Sequence, residues 1–308
     1  MMVSENKTFV ELFLTKMPGY YYLDSVFTIY KRQMLRTNKG QIIFMLIMPL
    51  MWILVIGTTF NNVFRNLSGS ALLSNTNYLT FLTPGILVMV TVFTGMFSAI
   101  SLFYDKESGY MKNYVIAPIN RTAIITAYSL AVATKTVFQV TVLLLVALAL
   151  GSDINLDISK LLSIYVFTIL TTVFLMGFSI TIGSNSPNAE TFQSIILPIS
   201  LPLQFLAPVM YPLTDMPDFL QFFAYINPLT YGTVGLRNIL LNNVTDNPID
   251  SLIIFINKYT IHLNFLINQK DFSFISTNLN VFFIIILLVG GILFVIAGSH
   301  TFLRSLDK

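Results

Sequence analysis

The chain has 308 residues, of which 55% are hydrophobic and only 10% charged, with a mean hydropathy of +0.75. Soluble domains carry about 25% charge, so this balance excludes an ordinary soluble fold and points to a membrane protein. The 17 basic and 14 acidic residues form no basic stripe that would fit nucleic acid, and the lack of cysteine removes disulfides, thiol nucleophiles and cysteine-held metals.

At the N-terminus, MMVSENKTFVELFLTKMPGYYY alternates polar and apolar residues and lacks the compact apolar core of a signal peptide. The first long apolar run, beyond residue 40, is therefore read as a retained span. Before it, GYYYLDSVFTIYKRQMLRTNK places Leu23, Val26, Phe27, Tyr30 and Met34 on one side of a helix, with Lys31, Arg32, Arg36 and Lys39 around its second half. This predicts an amphipathic helix over 18–40, lying on the inner membrane surface among anionic headgroups. The alternative is a soluble helix docked on another part of the protein.

A bilayer core near 30 Å needs about 20 apolar helical residues, and six windows meet that demand: 41–60, 79–103, 123–151, 161–183, 191–211 and 279–299. Pro49 is expected to bend the first, and Pro198, Pro202 and Pro208 make a straight, fully bonded fifth helix improbable. Only a short tail follows the sixth, so no further domain is expected after it. Lys31, Arg32, Arg36, Lys39, Lys106, Lys112, Arg121, Arg304 and Lys308 fall on one side of these spans, against Arg65 and Lys160 in the short loops opposite, so both termini are expected in the cytoplasm.

Between spans two and three, YDKESGYMKNYVIAPINRT carries Asp105, Lys106, Glu107, Lys112 and Arg121 close to the membrane, with Gly109 allowing a tight turn and Pro118 stopping a helix. It is read either as a dock for a soluble partner or as an ordinary solvated connection. Polar residues within the spans, including Thr91, Thr94, Ser98, Gln139, Ser179, Thr181 and Gln193, are read as helix-packing groups rather than pore groups. Lys135 is either a polar pore or dimer contact or a side chain snorkelling to the interface.

After span five, PVMYPLTDMPDFLQFFAYINPLTYGTVGLRN is too proline-broken for a span and too aromatic for a solvated loop. Pro212 lies where the preceding helix would stop, and Pro217 and Asp218 open a short helix with Phe219, Phe222, Phe223 and Ile226 on one face. Asn227 and Pro228 break it, and a second piece carries Tyr231 and Val234 before Arg237 and Asn238, which are expected to meet headgroups or water. Two short helices over 212–241 that enter from outside and return fit this pattern, as does a purely structural plug. The segment 242–277 then forms a long insertion, with a sequon-like Asn243 and an apolar run too short to span.

No Gly-rich Lys-Ser/Thr loop for phosphate occurs, and His262 and His300 stand apart without an HExxH arrangement. The chain is expected to be non-catalytic, with no cofactor or metal of its own. The apolar windows hold no carboxylate, which disfavours an ion-coupled carrier.

The amphipathic helix, DKESGYMKNYVIAPINR after span two and INPLTYGTVGLRNIL before span six together resemble the ABC-2 type permease family, the membrane subunits of drug-resistance and polysaccharide or O-antigen exporters. The resemblance covers nearly the whole chain as one transmembrane domain, 1–308. It implies an all-α integral membrane fold of the type V ABC exporter kind: six transmembrane helices, an N-terminal interfacial helix and outer reentrant helices. It also implies a permease dimer, with a second copy or a homologous permease, and two copies of a separate ATPase subunit in which ATP and Mg2+ are bound. Lys31, Arg32, Asp105, Glu107, Gly109, Lys112, Pro118 and Arg121 would form the ATPase-coupling region, the loop itself being 104–121. Pro212, Phe219, Phe222, Phe223, Asn227, Pro228, Tyr231 and Arg237 would line or close the outer gate. The implied function is ATP-driven export across the cell membrane; a non-transporting scaffold or immunity-like protein of the same fold is the alternative. The many Phe, Met and Leu positions suit a hydrophobic or amphipathic substrate, although lipid-facing walls require the same residues.

Overall fold

A computed structural model describes residues 20–36, 39–60, 77–111, 114, 121–213, 216–241 and 279–304. The N-terminal 19 residues, Lys112, Pro118 and the 242–277 insertion lie outside the described residues. Among the described residues all regular structure is helical: α1 Tyr20–Arg36, α2 Lys39–Met51 with a π-helical continuation Trp52–Gly57, α3 Tyr78–Ser98, α4 Ile100–Glu107, α5 Arg121–Ala149, α6 Ile158–Gly183, α7 Ala189–Leu206, α8 Asp218–Ile226, α9 Pro228–Leu241 and α10 Leu279–Arg304.

Four stretches are long and apolar enough to cross a bilayer: Tyr78–Glu107, Thr122–Ala149, Ile158–Gly183 and Ile284–Phe302. With this length and hydropathy the protein is a multi-pass membrane protein. They coincide with the second, third, fourth and sixth predicted windows. The first window is shorter where the side chains are described, an apolar helix over Met45–Phe60. Its helix carries Pro49 and widens into the π segment three residues later; the missing Pro49 amide leaves the Met45 carbonyl without its intrahelical donor.

The fifth window, expected over 191–211, is a helix that ends five residues earlier. α7 runs unbroken through Pro198 and Pro202, two positions that forgo a backbone bond, and stops at Leu206, before Pro208. Its start is fixed by Asn188, whose side-chain oxygen accepts from the Thr191 amide at 2.8 Å.

α3 is the central helix, buried along nearly its whole length. α6 packs on it and on α10, and small residues set both approaches. A Cβ on Gly95 would stand 2.7 Å from the Thr172 carbonyl oxygen, and one on Gly177 would stand 2.7 Å from the Val295 amide nitrogen. Helices in lipid gain little from hydrophobic burial against one another, so close backbone approach supplies van der Waals contact instead.

Several of the buried hydroxyls bond within the bundle, as helix-packing groups do, though Ser98 Oγ has no partner among the described residues. Thr91 and Thr94 donate to carbonyls of their own helix, the Thr94 hydroxyl also lies in contact with the Gln139 side chain, and Ser179 donates to the Met96 carbonyl at 3.1 Å. Gln193 faces outward instead, and Lys135 is half-buried midway along α5.

α1 departs from the single apolar face expected of it. Val26 and Ile29 are buried, at 8% and 2% exposure, whereas Leu23 and Phe27 are 67% and 62% exposed. The reason is that α1 lies against α5, with the Tyr30 and Thr134 hydroxyls 3.2 Å apart, so one stripe is consumed by packing and a second apolar edge is left outside. The Val26 and Ile29 stripe is thus docked on another part of the protein, as in the second alternative weighed for this helix, while Leu23 and Phe27 point outward.

Candidate functional site

The conspicuous polar groups gather at the two ends of α3 and α4, separated by the roughly 36 Å that 24 residues of helix span from Phe81 to Asp105.

At one end stands Asp105, on α4. Read in sequence as a charged loop residue, it is instead fully buried, at 0% exposure. A carboxylate out of water must be met by donors, and three converge on it. Gln33 Nε2 donates to Oδ2 at 3.0 Å, Tyr128 Oη donates to the same oxygen, and the Arg36 guanidinium pairs with Oδ1. The donors come from α1 and α5, so one carboxylate joins three elements.

The segment after α4 is held by the same turn of α1. The Arg32 guanidinium lies 4.5 Å from the Tyr110 ring centre and 5.4 Å from that of Tyr114, donating to the Tyr114 hydroxyl, while Arg36 is 5.6 Å from Tyr110. Gly109 turns the chain with φ of +77°, a conformation other residues adopt only under strain.

Glu107 is exposed, yet its Oε2 accepts from the Ala189 amide at 3.3 Å, placing a negative charge at the N-terminus of α7. Beneath it, Phe103 stacks on Phe192 at 4.0 Å and meets Phe302 edge-on at 5.5 Å. The beginning of α7 and the last turn of α10 therefore share this end with α1. Of the predicted coupling residues, Arg32, Asp105, Glu107 and Gly109 come together here and Lys31 is exposed nearby; Arg121 opens α5, its side chain outside the described set.

At the opposite end, the chain leaving α7 is stitched to its neighbours by side chains. The last carbonyls of a helix lack intrahelical donors, and away from water each must be supplied with one. Asn227 Nδ2 donates to the Leu203 carbonyl at 2.6 Å and Tyr211 Oη to that of Phe205 at 2.5 Å. Tyr78 Oη serves the Met210 carbonyl at 3.0 Å. Arg237 Nη2 serves the carbonyls of Pro208 and Val209 at 2.9 and 3.3 Å, with its guanidinium 3.8 Å from the centre of the Phe81 ring.

Arg237 was expected to reach headgroups or water; it is 0% exposed. The backbone break after Leu206 creates carbonyls that need a donor, and a planar guanidinium can serve two of them while stacking on an aromatic face. The strand of chain it holds presses on α3, where a Cβ on Gly85 would lie 2.5 Å from the Val209 carbonyl oxygen.

α8 and α9 begin and end close to where proline and asparagine place them. Pro217 precedes α8, whose Phe219, Phe222, Phe223 and Ile226 form an outward face, each at least 50% exposed. Asn227, 4% exposed, separates the two helices and caps the second: its Oδ1 accepts from the Leu229 amide at 3.0 Å. Pro228 fills the first helical position, where its missing amide costs nothing.

Thr230 and Tyr231 return hydroxyl bonds to the Ala224 and Tyr225 carbonyls, at 2.7 and 2.6 Å, closing the end of α8. α9 then runs antiparallel to α3, from Gly232, whose Cβ would sit 3.4 Å from a Val88 methyl, to Arg237 over Phe81. Pro212 is buried just before α8.

Gln33, Arg36 and Tyr128 were not singled out from the sequence as ligands of Asp105, nor Tyr78 and Phe81 as partners of Arg237. One signal was present: Gln33 follows Val26 and Ile29 at helical spacing, a polar group on the buried stripe. Among the described residues no group of three His, Asp or Glu side chains is placed to hold a metal ion.

Comparison with known proteins matches residues 24–241 to a family model described as ABC-2 type transporter. A putative transport permease, ycf38, of Cyanophora paradoxa is 28% identical over 71% of this chain and 75% of its own length. The protein of the same name from Porphyra purpurea is 32% identical over 64% of this chain and 66% of its own length. The inner membrane transport permease YadH of Escherichia coli K12 is 28% identical over 58% of this chain and 70% of its own. The matched span includes both polar ends of the bundle.

Proposed function

We propose a function for this chain from its family: it belongs to the ABC-2 type transporter family, whose membrane permeases move a substrate without carrying out covalent chemistry themselves. In our reading it is the transmembrane subunit of an ATP-driven exporter. A separate subunit, in two copies, binds ATP and Mg2+ and hydrolyses the nucleotide; the permease pairs with a second copy of itself or a homologous permease. The cargo is hydrophobic or amphipathic and leaves the cytoplasm. The helix bearing Pro49 and α7 complete a set of six spans, with both termini cytoplasmic.

The observation that carries this reading is the platform at the Asp105 end. Exposed Lys31, Glu107 and Tyr110 sit on elements tied directly to α3, α5 and α7, so a soluble partner pressing there would move the spans. α8 and α9 at the other end are the outer reentrant pair and gate. Supporting that placement, α9 starts beside Val88, inside the bundle, and returns to the end of α3 at Phe81.

The test is Glu107→Lys. It reverses the charge facing the α7 N-terminus and should impair ATPase assembly or coupling while membrane insertion is retained. A variant whose cellular function stays intact would favour a non-transporting scaffold.

A further inference from the structure

We propose that Asp105 is a positioning residue whose buried ion pair locks α1, α4 and α5 into one lever, so that these three elements move as a unit when the ATPase closes. The inference rests on the function proposed above for the driving partner, but the lock itself is a property of this chain alone.

The argument lies in an asymmetry between the partners. Arg36 is 43% exposed along its side chain and can turn to water, whereas Asp105, at 0%, cannot. Withdrawing α1 or α5 from α4 would strip Gln33 and Arg36, or Tyr128, from a carboxylate with no solvent to replace them. Breaking a buried pair in this way is strongly unfavourable even where forming it contributes little.

The apolar packing of Val26 and Ile29 on α5 has no comparable penalty for sliding, because one hydrocarbon contact can replace another. The carboxylate therefore fixes register where packing fixes only proximity. Arg32 and Arg36 extend the lock to the segment after α4 through the ring of Tyr110, which is 46% exposed and open to a partner. A push on Tyr110 or Lys31 then reaches α5 without loss in the intervening joint.

The chain has no cysteine, so spin labels can be placed without background. Labels at Leu35 on α1 and Phe138 on α5, which are 77% and 54% exposed, report the separation across the lock by pulsed electron resonance. In the native chain alone in lipid nanodiscs, one narrow distance is expected, and the same distance after the ATPase complex is trapped with ADP and vanadate. Asp105→Asn should lower the ratio of locked to unlocked populations by about tenfold or more, seen as a broadened distribution.

Arg36→Gln, at a half-exposed position compatible with folding, should broaden it in the same direction. A distribution unchanged in both variants, or a native distance that shifts on trapping, would overturn the lever. Failure of any ATPase to join the complex would instead sink the function proposed above, and the nanodisc measurement on the chain alone would still decide the lock.

Discussion

Replacing Asn227 with alanine should loosen the junction of α7, α8 and α9, by an amount that follows from its bonds. The residue caps α9 through the Leu229 amide, and losing an N-cap costs about 0.5–2 kcal/mol. Its Nδ2 is also the donor to the Leu203 carbonyl at 2.6 Å, and leaving a buried acceptor unmet costs about 1–3 kcal/mol. Together the loss is about 1.5–5 kcal/mol, or roughly 10- to 5000-fold in a local opening equilibrium. Hydrogen exchange read by mass spectrometry on peptides covering residues 228–236 should show this acceleration in lipid nanodiscs, with peptides of α6 unaffected. Asn227→Ser keeps a capping oxygen but is too short to reach Leu203, so it should lose only about 1–3 kcal/mol. Asn227→Asp should be worse than serine, since it turns a carboxylate towards that carbonyl at a site 4% exposed. Native-like exchange in Asn227→Ala would refute the junction as described.

Arg237→Lys keeps the charge but cannot serve two carbonyls and stack on Phe81 at once, and should cost about 1–3 kcal/mol in thermal unfolding; stability equal to native would show that the arginine does not hold the chain leaving α7. Gly177→Val should destabilise by about 1–3 kcal/mol, because the added carbon meets backbone of α10. Gly57→Ala should be nearly neutral in the same thermal assay, since its 2.7 Å neighbour is the movable end of Leu79. Equal effects at the two glycines would contradict the distinction between backbone and side-chain contact.

Much of the element layout was legible because it is written locally. Apolar runs gave four spans, and Pro217, Asn227 and Pro228 gave the ends of α8 and α9, since proline and asparagine act on the backbone within a residue or two. What periodicity cannot tell is which neighbour covers a face. Asp105 reads as loop charge in YDKESGY; its burial depends on Gln33 and Arg36, about 70 residues earlier. Arg237 reads as a headgroup contact because the carbonyls it serves exist only where α7 stops, 28 and 29 residues away. Likewise the split of α1 into a packed and an outward apolar edge follows from α5, about a hundred residues on. The prolines of α7 acted as read: the helix continues through Pro198 and Pro202 without two backbone bonds and ends before Pro208.

The central claim is that the nucleotide is handled by a separate subunit seated on this chain. It is tested most directly by photolabelling with 8-azido-ATP after tagged chain is purified from its native membrane, with subunit composition read by native mass spectrometry. The account predicts two copies of an ABC ATPase beside two permease chains, with all label on the ATPase. Label on this chain, or a purified permease without an ATPase that still performs its cellular role, would contradict it.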